Sequence, residues 1–343
     1  MLPLPIFDYH RPRTLAEALS LLDELGDKAR LIAGGTDVLP NMKQGLFDPA
    51  HVVSIARLEE LRGIALERPS APADERGLSA QAGGSGERLV LGAGMKLAEI
   101  AGSLLVQRGA PALAEACGMV GGPHHRTMGT LGGNICLDTR CRYYNQTYFW
   151  RRALGFCIKK DGTACHVVKG GSKCVAAASN DSAPALIALD ADIELLSAGG
   201  SRTVRAQDFY TADGVKNTVL APGEIVVRVH VPLLKGRRSA FEKLRRRGAI
   251  DFPLLSIAAR IDYAEGAVRA AGVVVSSLGA RPRSLRAAAK VAPGTPAERL
   301  PQALADAAYA ECRPLTNLDE DAEWRREMVP VLVKKALERA ASA

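Results

Sequence analysis

The sequence predicts an α+β protein of two or three domains. A chain of 343 residues, 47% of them hydrophobic, can bury more than one core. Up to about residue 231, short apolar runs alternate with helical patterns; from about residue 256, hairpin-like strands are followed by helices. The longest apolar runs, such as Leu186 to Leu189, are far too short to cross a membrane. The N-terminus has no basic leader with a long apolar stretch. A cytoplasmic protein with reduced thiols is therefore expected.

Thr14 and Glu17 form a capping-box pattern that opens a helix with Leu15, Ala18, Leu19 and Leu22 on one face. Residues 29–33 read as a strand entering a glycine pair, and residues 51–55 as another, closing a first unit over residues 1–56. Residues 69–88, rich in Pro, Gly, Ser and Ala, read as a loop or long hairpin connection. A second unit over residues 57–231 has a strand at 89–94, helices near 97–105 and 111–119, and a glycine-rich turn at 121–123. Beyond residue 178 it continues with a helix at 183–189 and strands at 192–197 and 225–231. Residues 232–238 read as a linker into a third unit, residues 233–343. That unit has strands at 256–262 and 272–278 and helices at 285–291, 301–312 and 319–340. Acids at the start of the last helix and Lys334, Lys335 and Arg339 at its end suit the helix dipole. Pro330 predicts a kink or a break near Met328.

One segment, residues 139–178, departs from this pattern. It holds four of the seven cysteines, Cys141, Cys157, Cys165 and Cys174, spaced C-x15-C-x7-C-x8-C. It also holds eight Lys and Arg against one acid, so most of the +8 net charge is concentrated there, with six of the sixteen aromatics. A nucleic-acid module would show a basic helix, an aromatic strand signature or finger spacing, and none is present. In a reducing compartment the thiols point to metal or redox chemistry before disulfides. Four thiolates suit an iron–sulfur cluster, although the compact ferredoxin spacing is absent. They also suit zinc, although the close cysteine pairs usual for zinc are missing. Unliganded thiols are the third possibility.

Two places carry paired glycines after an apolar approach: Ala33-Gly34-Gly35-Thr36-Asp37 and Thr130-Leu131-Gly132-Gly133-Asn134. Paired glycines let backbone N–H groups surround a phosphate, though each alone could be a tight turn. Neither fits the dinucleotide fingerprint G-x-G-x-x-G or the P-loop, which argues against a Rossmann dehydrogenase or a P-loop NTPase. Two such loops on separate units suit a long dinucleotide lying between them.

These loops, with Asn180-Asp181-Ser182-Ala183-Pro184-Ala185-Leu186, Leu220 to Ile225, Phe241-Glu242-Lys243, Asp251 and the Arg-Arg pair between Trp324 and Met328, resemble the FAD-binding medium subunits of molybdenum hydroxylases. The resemblance covers nearly the whole chain. It implies the FAD-binding fold of the vanillyl-alcohol-oxidase and CO-dehydrogenase flavoproteins, two subdomains gripping FAD, with a C-terminal α+β domain. The matching flavin contacts are Ile32, Ala33, Gly34, Gly35, Thr36, Asp37 and Val38; Val120, Thr130, Leu131, Gly132, Gly133 and Asn134; and Asp181, Val226 and Lys243. The two loops suit the pyrophosphate. Asp181 could accept a hydrogen bond from ribose or adenine, or cap the following helix. Lys243 could stabilise negative charge on the reduced flavin, or be a solvated strand charge.

The cysteine segment interrupts the stretch between Gly-Gly-Asn-Ile and Asp-x-x-Pro, where usual medium subunits have only a few residues. Such an insertion resembles the 4-hydroxybenzoyl-CoA reductase branch, in which it carries an extra [4Fe–4S] cluster. By that resemblance the four cysteines each supply one thiolate, and Arg140, Arg142, Arg151, Arg152, Lys159 and Lys160 offset the cluster's charge or face an acidic donor. The implied complex is a heterohexamer with a molybdenum-cofactor large subunit and a [2Fe–2S] small subunit. The implied donor is ferredoxin, and the implied reaction reductive dehydroxylation to benzoyl-CoA. Alternatives are the FAD subunit of another molybdenum hydroxylase, or a zinc-stapled assembly module. Cys117 and Cys312 read as buried packing thiols, Cys136 as packing beside the second loop, and His124 and His125 as loop residues near the flavin. No catalytic acid–base or nucleophile pattern is present, as expected where cofactors carry the chemistry.

Overall fold

The computed structural model describes residues 2–68 and 86–342, so most of the predicted connection at 69–88 lies outside the described residues. The first unit contains β1 (Asp8–His10), α1 (Leu15–Leu25), β2 (Ala29–Ile32), α2 (Val38–Lys43) and β3 (His51–Ser54). Its strands form a parallel sheet in the order β1-β3-β2. The Thr14 hydroxyl accepts from the Glu17 N–H, and Glu17 in turn accepts from the Arg13 N–H, so the expected cap forms. Leu19 and Leu22 of α1, with Val53 of β3, pack against Leu58, Leu61, Ile225 and Val227 and so weld this unit to the next.

The second unit begins with β4 (Ile64–Glu67) and β5 (Arg88–Gly92), then a run of short helices: α3 (Leu97–Gly102), α4 (Leu104–Gly109), α5 (Pro111–Gly118), α6 (Pro123–Met128) and α7 (Leu131–Ile135). The helix expected over 97–105 is split at Ser103, which is extended and sits at the N-cap position of α4 without a side-chain capping bond. The cysteine segment contributes only α8 (Tyr148–Ala153). Beyond it come α9 (Ser182–Ala188), β6 (Asp192–Ser197), β7 (Gly200–Arg205), α10 (Ala206–Phe209) and β8 (Ile225–Pro232). The five strands pair in the order β4-β5-β8-β6-β7, each pair antiparallel. β7 was not expected, because its residues are almost all exposed and polar and show no apolar alternation.

The third unit holds β9 (Arg237–Leu244), β10 (Leu255–Ala264), β11 (Ala267–Ser276) and β12 (Arg283–Ser284), then α11 (Leu300–Glu311) and α12 (Ala322–Ser342). Its antiparallel sheet has the order β12-β11-β10-β9. The expected linker at 232–238 overlaps the start of β9, whose flanking arginines disguise a buried Ser239-Ala240-Phe241 centre. The helix expected at 285–291 is only a single 3-10 turn at Ala288–Lys290. The break expected near Met328 does not occur, since α12 remains helical across Pro330. Val329, Leu332, Val333, Ala336 and Leu337 are buried in the third core, and that burial outweighs the hydrogen bond a proline removes.

The cysteine segment leaves and re-enters the second unit at one point, where Arg140 and Ala177 exchange both backbone hydrogen bonds (2.8 and 2.7 Å). Between those residues it packs on the first unit: Tyr144 and Cys157 bury against Leu46. Arg151, 1% exposed, donates to the Gly45 carbonyl at 2.9 Å and to Asp161 at 3.1 Å.

Candidate functional site

A cleft of about 730 Å³ opens between the first two units, with the third unit at its mouth. The first glycine loop forms one wall. Gly35 holds φ of 72°, a conformation that costs glycine little, and α2 follows. The backbone N–H groups of Gly34, Gly35, Thr36, Asp37 and Val38 find no acceptor among the described residues. Five successive free donors make the concave, positively polarised surface that holds an anion. Gly34 also lets this wall meet the second loop: a methyl group there would sit 2.1 Å from the Met128 carbonyl oxygen and 2.9 Å from Gly129 Cα.

The second loop is fixed from inside. The Thr130 hydroxyl accepts from the Gly133 N–H at 3.1 Å, and Asn134 Oδ1 accepts from both the N–H and the hydroxyl of Ser182. Asn134 thereby ties α7 to the start of α9. Of the sequence-derived residues, Ala33 to Val38, Val120, Thr130, Gly132, Gly133, Asn134, Asp181 and Val226 line the cleft, whereas Ile32, Leu131 and Lys243 do not. Ile32 and Leu131 are buried side chains behind the two loops.

The Lys243 side chain is fully buried, not a solvated strand charge. It donates to Asp181 Oδ2 at 2.7 Å and to the Met119 carbonyl at 3.0 Å, with exposures of 0% and 3% for the two charged side chains. Asp181 precedes α9 but makes no capping hydrogen bond. Burial pushes its carboxyl up to about 6, and the nearby Lys243 and Arg245 only partly oppose this. Its other oxygen, Oδ1, is buried and has no partner among the described residues, and Asp181 lines the cleft.

Several lining residues escaped the sequence reading. Arg140, read there as a counter-charge for the cysteines, faces the cleft, 3.5 Å from Asp37 and stacked on the Phe252 ring at 3.9 Å. Burial raises the Asp37 carboxyl and lowers the Arg140 guanidinium from their ordinary values, each offset in part by the other. Ile250 and Phe252 come from a loop of the third unit, with Ile250 at φ 62°. Only the third dimension brings that loop here. Of the histidine pair, His125 lines the cleft, and its Nδ1 accepts from the Gly122 N–H at 3.3 Å; Cys136 also lines the wall.

The thiols of the four clustered cysteines lie within electrostatic reach of one another, beginning with Cys141 one residue beyond Arg140. Burial first, then the neighbouring thiols of Cys174, Cys157 and Cys165, pushes the Cys141 thiol up to about 11. Burial also raises the Cys174 thiol, while the Ala176 N–H and Lys159 pull it down. Two of the four sulfurs accept a backbone N–H: Cys165 from Val168 at 3.4 Å and Cys174 from Ala176 at 3.5 Å. Such bonds stabilise thiolate over thiol. Lys159 is 5% exposed and bridges Asp138 at 2.6 Å and the Gly214 carbonyl at 2.7 Å. Gly214 leaves room for the site, since a methyl group there would lie 2.8 Å from the Cys174 sulfur. Among the described residues, no three His, Cys, Asp or Glu side chains form a group that could hold a single metal ion. Nor is any described helix long and apolar enough to cross a membrane.

The residues present fit FAD: the cleft lies within the range of roughly 300–1,000 Å³ usual for cofactor sites, with a donor-rich anion cradle and a hydroxyl acceptor at Asp181. At the four thiols there are N–H donors on two sulfurs and the buried Lys159 beside Cys174, but the described residues present no assembled metal site. Fold and cleft together define a flavoprotein in which two units enclose the cofactor and a third closes the mouth.

Comparison with known proteins agrees. Residues 5–234 match the family model described as the FAD binding domain in molybdopterin dehydrogenase, and residues 239–340 match the CO dehydrogenase flavoprotein C-terminal domain. The chain is 30% identical to the carbon monoxide dehydrogenase medium chain of Hydrogenophaga pseudoflava, covering 99% of this chain and 98% of that one. It is 26% identical to the xanthine dehydrogenase FAD-binding subunit of Escherichia coli O157:H7, over 98% and 96%. A solved structure of reconstituted CO dehydrogenase from Oligotropha carboxidovorans superposes with a TM-score of 0.76 at 26% identity, covering 99% of each chain. The chain belongs to the family of medium, FAD-binding subunits of molybdenum hydroxylases.

Proposed function

We propose that this chain is an electron-transfer subunit in which the cleft holds FAD and Cys141, Cys157, Cys165 and Cys174 hold a [4Fe–4S] cluster. The observation that supports the reading is the electrostatic proximity of the four thiols, two with an N–H on sulfur, beginning one residue from the cleft-lining Arg140. Bound there, FAD exchanges electrons singly or in pairs and the cluster exchanges them singly. The residues do the holding. The free N–H groups from Gly34 to Val38 bind the pyrophosphate, and Asp181 Oδ1 accepts from a hydroxyl or amino group of the dinucleotide. Lys243 keeps that carboxylate charged and aimed. Lys159 lowers the cost of a thiolate at Cys174, and the buried surroundings of Cys157 and Cys174 keep water away.

The coarser activity is that of a molybdenum hydroxylase of the CO, xanthine or aldehyde dehydrogenase type, working with a molybdenum-cofactor large subunit and a [2Fe–2S] small subunit in a cytoplasmic heterohexamer. One observation favours a narrower reading, 4-hydroxybenzoyl-CoA reductase supplied by ferredoxin: the inserted segment with its four-cysteine spacing resembles that branch. The exposed Phe149 and Trp150, with Arg142 and Arg152 on the same segment, support a protein donor docking there.

Anaerobic purification tests the reading. Iron and acid-labile sulfide should appear in equal amounts, about four of each per chain beside FAD. Cys157→Ser should abolish the cluster's EPR signal and leave FAD bound. Stoichiometric zinc without sulfide would sink the cluster assignment. With its partner subunits, the complex should dehydroxylate 4-hydroxybenzoyl-CoA with reduced ferredoxin; activity confined to CO, xanthine or aldehydes would leave only the coarser reading.

A further inference from the structure

We infer that Asn317 of the third unit, oriented by Arg325, is a positioning residue for the four-cysteine site, clamping the two arms of the segment that carry Cys141 and Cys174. The inference rests on reading those cysteines as cluster ligands.

Asn317 lies between α11 and α12, far from the cysteines in sequence, and is 0% exposed. Its backbone carbonyl accepts from the Arg142 N–H at 2.8 Å, one residue past Cys141. Its side-chain Nδ2 donates to the Val175 carbonyl at 2.7 Å, one residue past Cys174, and to the Leu278 carbonyl at 3.2 Å. A single residue thus fixes the backbone beside the first and the last thiol. Two further bonds extend the seam: the Ala178 N–H donates to the Gly279 carbonyl at 2.8 Å, and the Ser276 hydroxyl to the Ala178 carbonyl at 3.2 Å.

Arg325 explains why Asn317 points as it does. It too is 0% exposed, and no carboxylate pairs with it among the described residues. Its guanidinium donates instead to the carbonyls of Leu254, Leu315 and Ser277 and to Asn317 Oδ1 at 3.4 Å. A buried cation held only by neutral oxygens costs stability and is kept where it fixes geometry. One of those oxygens belongs to Ser277, a non-glycine residue at φ 70° beside Leu278, so the guanidinium also secures a strained turn. With Oδ1 turned towards Arg325, the amide can present Nδ2 to Val175 and not the reverse.

Rigid placement of ligand-bearing backbone is what separates a site that retains its cluster from one that sheds it. The test uses the anaerobically purified full chain, freed of the iron-bearing small subunit, and compares wild type with Asn317→Asp and Asn317→Ala. Asn317→Asp keeps the volume and the acceptor for Arg325 while replacing the donor to Val175 with a second acceptor. FAD per chain should stay at the wild-type value. Iron release to a chelator should accelerate by roughly 10-fold, in keeping with outer-shell changes at metal sites. The EPR line shape of the reduced cluster should change, since the Cys174 arm is freed. Leu332→Ala serves as control: it weakens the same unit's core without touching the cysteine segment, and should leave iron release and the EPR spectrum unchanged. Wild-type release rate and spectrum in Asn317→Asp would overturn the proposal, as would equal acceleration in Leu332→Ala. Absence of iron and sulfide from wild type would remove the underlying cluster reading itself, and that is measured before any variant.

Discussion

Replacing Lys243 with Met removes the ammonium hydrogen-bonded to Asp181, a carboxylate only 3% exposed with one oxygen already unpartnered. In the wild type the Asp181 carboxyl sits at about 6, above its ordinary 3.8, because desolvation outweighs the attraction of Lys243. A carboxyl raised on folding binds protons more tightly in the folded state. Its stabilising contribution is therefore complete below the unfolded value and lost as pH rises through the folded value. For the wild type that loss ends near pH 6 and amounts to about 3 kcal/mol, at 1.36 kcal/mol per pH unit. Without Lys243 the folded carboxyl rises further, so the variant goes on losing about 1.4 kcal/mol per pH unit above 6. The extra loss should level off at about 3–5 kcal/mol, the usual cost of stranding one partner of a buried pair. Urea unfolding followed by Trp fluorescence at pH 5.5, 7 and 8 reads this directly. The gap between wild type and Lys243→Met should be small at pH 5.5 and widen steadily with pH. A gap that is constant, or that narrows as pH rises, would refute the account of Lys243 as the counter-charge that keeps Asp181 ionised.

Two further outcomes follow from packing. Gly34→Ala places a methyl group 2.1 Å from the Met128 carbonyl oxygen, so the two glycine loops must separate. Overpacking of this kind costs about 1–3 kcal/mol, which corresponds to FAD binding weakened roughly 5- to 150-fold in a fluorescence titration if the strain falls on the bound state. Arg151→Met leaves the Gly45 carbonyl without its buried donor; at about 1–3 kcal/mol for that lost partner, limited proteolysis should cut residues 139–178 faster while FAD stays bound.

The frame of the fold was legible where pattern and chemistry coincide. Thr14 and Glu17 announce α1, and the two glycine loops announce the cleft that they line. β9 was missed because its arginines carry no apolar pattern, although Arg237 turns inward to pair with Asp190 and Asp262. At Pro330 local propensity argues for a kink or a break, and the break does not occur, because tertiary burial keeps the helix continuous. At the site, the motif points to Asp181, which lines the cleft, but its partnership with Lys243 and the orphaned Oδ1 depend on contact between the second and third units. Arg140 carried a signal of charge alone. Whether it faces the cleft is a question of direction, and direction is not written in composition.

The closed neck at Arg140 and Ala177 has a practical meaning for the cysteine segment. A hydrogen-bonded antiparallel pair stands only about 5.5 Å apart, the span of an ordinary tight turn. Everything between those two residues is topologically a cassette, and the flavoprotein scaffold could be joined across its base without it. Moving the cassette into a relative would take two adjacent splice points. It would also take a small set of receptors on the host surface: the Gly45 carbonyl for Arg151, Asp213 and Gly214 beside Cys174, and Asn317 at the base. A host lacking those receptors would accept the splice and still leave the thiols without their alignment.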